Sequence, residues 1–61
     1  MTVYEQNYNN RLNEMLTLIT ERYGAEDEKV VYFAQLVKKY TNQANYTNRE
    51  KMEKIFKGLM K

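Results

Sequence analysis

Val30-Val31-Tyr32-Phe33-Ala34-Gln35-Leu36-Val37, continuing to Tyr40, is the most apolar run in the chain. Its side chains alone favour a strand, because β-branched and aromatic residues pack well on a pleated surface. Its flanks favour a helix. Glu26-Asp27-Glu28 precede it and Lys38-Lys39 follow it, which places acids at the positive end and bases at the negative end of a helix dipole. Positions 30, 33, 34, 37 and 40 make one helical stripe, positions 32 and 36 widen it, and Val31 lies off it. A stripe that wide belongs to a helix with more than one neighbour. The run therefore predicts a central helix near 25–41.

Upstream, Thr2-Val3-Tyr4-Glu5 has the form of a capping box, in which the Thr2 hydroxyl and the Glu5 carboxylate each satisfy the other's backbone N–H. A helix opened there runs near 3–23 and ends at Gly24, a residue suited to closing helices. Tyr4, Tyr8, Leu12, Met15, Ile19 and Tyr23 recur along it at spacings of three and four, with Leu16 beside them. Around Tyr8, however, Glu5-Gln6-Asn7 and Asn9-Asn10 are polar, and several are poor helix formers. Downstream, the polar stretch 41–46 reads as a connection. Thr47-Asn48-Arg49-Glu50 reads as a second capping box, opening a helix near 48–60 with the stripe Met52, Ile55, Phe56, Leu59.

The expected fold is an all-α, single-domain, three-helix bundle over 1–61 with antiparallel neighbours. The expected core is Leu12, Met15, Leu16, Ile19, Val30, Phe33, Ala34, Val37, Met52, Ile55, Phe56 and Leu59. A chain of 61 residues buries a modest core. With no cysteine and no histidine, the expected support is a second subunit rather than a disulfide or a zinc site.

The helices differ in length. At ~1.5 Å per residue the first spans about 31 Å and the third about 20 Å, leaving roughly 10 Å of the first without an intrachain neighbour. That overhang carries Val3, Tyr4, Tyr8 and Arg11. Tyr and Arg are enriched at interface hot spots. The expectation is a homodimer contact, or contact with another protein, at this end. Fraying, or cover by C-terminal residues, is the plainer alternative.

Charge is uneven along the chain. Residues 1–28 carry two basic against six acidic side chains, a balance of −4, and residues 29–61 carry eight against two, a balance of +6. Ordinary helix-end bias explains part of this. The remainder suggests a basic face for an anionic partner. A nucleic-acid reading follows: helices 2 and 3 as a loose helix-turn-helix, with Asn48, Arg49 and Lys51 near base edges and Lys38, Lys39, Lys54 and Lys57 on phosphates. Against it, the connection is longer than the usual three- or four-residue turn, and Glu50 and Glu53 interrupt the basic face.

Catalysis has little support: Glu26, Asp27 and Glu28 are adjacent and point to different sides of a helix, and Gly24 and Gly58 form no phosphate loop. No catalytic, metal or cofactor residues and no small-molecule substrate are expected. No membrane partner is expected either, because the apolar stripe of helix 3 is needed by the core. With neither a signal segment nor an 18-residue apolar run, the default compartment is the cytoplasm. The abundance of Asn, Lys and Tyr suggests an AT-rich genome, that of a low-GC bacterium, its phage or its plasmid. The reading of the sequence as a whole is a small non-enzymatic regulatory or inhibitory protein-binding module acting as a homodimer. A small DNA-binding regulator is the alternative.

Overall fold

The computed structural model describes residues 2–61. Three helices follow in order: α1 Val3–Tyr23, α2 Glu28–Tyr40 and α3 Tyr46–Leu59, with no strand among the described residues. Among the described residues no helix is long and apolar enough to cross a membrane.

α1 begins and ends as its sequence predicts. The Thr2 hydroxyl accepts from the Glu5 N–H at 3.1 Å, and the Glu5 carboxylate accepts from the Thr2 N–H at 3.3 Å. Gly24, at φ 96°, ends the helix in a conformation that side chains disfavour.

α2 starts later than expected. Residues 24–27 form a turn, in which Asp27 N–H donates to the Gly24 carbonyl at 3.1 Å. The Asp27 carboxylate then caps α2 by accepting from the Lys29 N–H at 2.9 Å. Only Glu28 of the three acids lies inside the first turn, while Lys38 and Lys39 occupy the last.

α3 starts earlier, and the expected Thr47 cap is not formed. Asn45 takes that role, its side-chain oxygen accepting from the Asn48 N–H at 2.8 Å. Asn is at least as good a cap as Thr, and choosing it adds two residues at the front of the helix.

The buried core is Tyr8, Leu12, Met15, Ile19, Val30, Phe33, Val37 and Met52. Leu16, Ile55, Phe56 and Leu59 pack against it while staying partly exposed. Ala34 is half-buried and outside the packed cluster. α2 touches both other helices, as its wide stripe requires. Tyr8 is the addition to the expected core. It is 1% exposed, and its hydroxyl donates to the Tyr40 carbonyl at 2.8 Å. At the other end of α1, the Tyr23 hydroxyl donates to the Leu59 carbonyl at 2.5 Å. Both acceptors belong to the last turn of a neighbouring helix, where carbonyls have no intrahelical partner. The two tyrosines thus bury apolar rings and close two helix ends.

Candidate functional site

The pairings Tyr8–Tyr40 and Tyr23–Leu59 fix the helix directions. α1 and α3 run parallel, and α2 runs against both. The N-termini of α1 and α3 therefore lie together, and a groove of about 490 Å³ opens between them. Tyr4 lines it from α1. Tyr46, Arg49, Glu50, Glu53, Lys54 and Lys57 line it from α3.

Arg11 forms the brace beneath this groove. Its Nε and Nη2 donate to the two oxygens of Glu53 at 2.7 and 3.0 Å, and Nη1 donates to Glu14. Its guanidinium also lies 5.7 Å from the centre of the Phe56 ring. A forked Arg–carboxylate pair is geometrically specific, so it sets the register of α1 against α3. The hydrogen bond from Arg11 holds the Glu53 carboxyl below the usual glutamate range, and the same pairing keeps Arg11 charged. Because the folded value is depressed, the stability this pair contributes is present above the ordinary value of 4.5 and is lost as pH falls through the lower folded one. Chemical denaturation of wild type and Glu53→Gln should therefore show a gap at pH 7 that narrows steadily below about pH 4. A gap constant with pH would remove the ion pair as its cause.

The expected overhang of α1 is a free surface only in its first turn. The residues after α2 fold over it: the Asn9 side-chain oxygen accepts from the Asn42 N–H at 2.9 Å, and the Asn9 amide donates to the Asn42 side chain at 2.9 Å. Asn42 reaches this position at φ 64°, which Asn tolerates better than most residues. Of the four expected contact residues, Tyr8 is core and Arg11 is committed to Glu53 and Glu14. Only Val3 and Tyr4 are exposed, at 71% and 48%.

The expected nucleic-acid residues also separate. Asn48 donates its side-chain amide to the Gln43 carbonyl at 2.8 Å, which ties it to the connection before α3. Lys51 donates to the Tyr40 hydroxyl at 2.9 Å and Lys39 lies over the same ring, on the α2 side of α3. That hydrogen bond from Lys51 lowers the Tyr40 pKa and raises its own. Lys38 is exposed in the last turn of α2. Arg49, Lys54 and Lys57 share the α1–α3 groove.

The juxtaposition of Tyr4 with Tyr46 was not anticipated. Its one sequence signal is the row 46, 49, 50, 53, 57, at helical spacings of three, four, seven and eleven from Tyr46. Among the described residues, no group of three or more acidic, His or Cys side chains is placed to hold a metal ion. What the groove offers is aromatic surface and positive charge. Comparison with protein-family models, curated proteins and solved structures finds no match.

Proposed function

We propose that this chain is a small non-enzymatic protein-binding module of the regulatory or inhibitory kind, with the α1–α3 groove as its contact surface. The observation that carries the reading is the pair Tyr4 and Tyr46, 48% and 70% exposed and both lining one groove. Tyrosine supplies large, rigid contact area at small entropic cost and is enriched at binding hot spots. Neither ring is needed by the core, which is closed by Tyr8, Phe33 and Met52 beneath.

The nucleic-acid alternative has less support, since Asn48 and Lys51 are occupied within the chain and the remaining bases divide between two faces. The homodimer expected from α1 keeps only Val3 and Tyr4 as contacts.

Selection of displayed peptides against the immobilised protein tests the proposal, with a Tyr4→Ala/Tyr46→Ala variant as counter-target. Wild type should enrich peptides that the variant does not hold, while the melting temperature of the variant stays close to that of wild type. A selection that enriches nothing, alongside tight binding of an oligo-dT strand, would overturn the reading.

A further inference from the structure

We infer that the occupant of this groove is an acidic segment of a different protein, carrying an aromatic or aliphatic anchor; this rests on the protein-binding reading above.

The groove is polarised. Tyr4 and Tyr46 stand together at one end, and neither hydroxyl is engaged within the described chain. From there the α3 wall continues through Arg49 and Lys54 to Lys57, eleven residues beyond Tyr46, or ~16 Å along the helix axis. Among the described residues both ion pairs are made by Arg11, so Arg49, Lys54 and Lys57 belong to neither. Arg11 holds Glu53 while also pairing with Glu14. The groove therefore carries three cations against two carboxylates, Glu50 and Glu53.

This distribution selects among occupants. A second copy docked by twofold symmetry presents the same surface to itself, so a groove in which cations outnumber carboxylates would meet its own sign of charge. Like charges so placed disfavour that pairing. A single nucleic-acid strand needs stacking platforms spread along its path, whereas both rings lie at one end and a carboxylate lies among the cations. A peptide with an apolar anchor on the tyrosines and carboxylates beyond it matches both features. A length of ~16 Å takes about three turns of helix.

The probe is a fluorescein-labelled peptide of about fifteen residues, with two Phe spaced four apart near one end and Glu at most other positions. Its Gln and Lys counterparts serve as controls, read by fluorescence anisotropy at low and high salt. The Glu peptide should bind wild type at least tenfold more tightly than the Gln peptide, with an advantage that shrinks as salt rises. Tyr46→Ala should weaken it at least tenfold. The Lys54→Glu/Lys57→Glu variant, checked for helicity by circular dichroism, should reverse the order and prefer the Lys peptide. Equal binding of Glu and Gln peptides at the groove would overturn the inference and leave the protein-binding reading standing. So would an unchanged order in the charge-reversed variant. No binding by any of the peptides would also overturn the inference, and the peptide selection then decides the broader reading separately. An oligo-dT strand that outcompetes the Glu peptide would overturn both.

Discussion

Phe33→Ala should leave the domain largely unfolded at room temperature. Phe33 lies midway along α2 with no accessible surface. Its ring packs 6.3 Å from that of Phe56 on α3, tilted by 57°. Truncating a fully buried Phe removes its transfer free energy and leaves a cavity, together about 3–5 kcal/mol. A domain of this size has roughly 3–9 kcal/mol in total. The loss is therefore comparable to the whole. Urea denaturation followed by circular dichroism measures it. A loss below about 1 kcal/mol would mean that the core is centred elsewhere.

Tyr8→Ala should be almost as damaging, again about 3–5 kcal/mol. It removes a ring that is 1% exposed, and it takes one of two donors from the Tyr40 carbonyl, which keeps the Gln43 N–H at 3.1 Å. Tyr8→Phe separates the two effects: it keeps the ring and should cost about 1 kcal/mol for the lost hydrogen bond. Tyr4→Ala, one turn earlier on the same helix, should stay within about 0.5 kcal/mol. Alkali adds an independent readout. Burial first, then the neighbouring Tyr4 and Tyr40, raise the Tyr8 pKa above its ordinary 10. A raised folded value means that the stability linked to the neutral phenol is complete below pH 10 and declines as pH climbs through the folded value. Tyr8→Phe should flatten that decline. If Tyr8→Ala stays folded with near-native stability, Tyr8 is a surface residue after all and the packing of α1 on α2 must be redrawn.

The features legible in the sequence are those whose partners lie within one turn. The Thr2–Glu5 capping box spans three residues, and Gly24 stops α1 by its own backbone freedom. The stripes that form the core recur every three or four positions. Such information survives in a string because the helix repeat is fixed. Three helices and seven of the eight buried residues follow from it.

Where two local signals were nearly equal, tertiary packing decided between them. Asn45 and Thr47 are both sound caps, and docking the 41–45 connection onto Asn9 of α1 favours the earlier one. Tyr8 has the polar neighbours of a surface residue. It is core because the last carbonyl of α2, 32 residues away, arrives at its hydroxyl. Arg11 has the character of a binding anchor. It is structural because Glu53, 42 residues away, receives it. The groove itself exists only because α1 and α3 run parallel, which puts Tyr4 and Tyr46 on the same groove. Composition and periodicity determined which residues are apolar and which helix face they share. Which exposed-looking tyrosine is buried, and which cations are left unpaired, depended on chain direction and long-range hydrogen bonds, because those pairings have no period along the sequence.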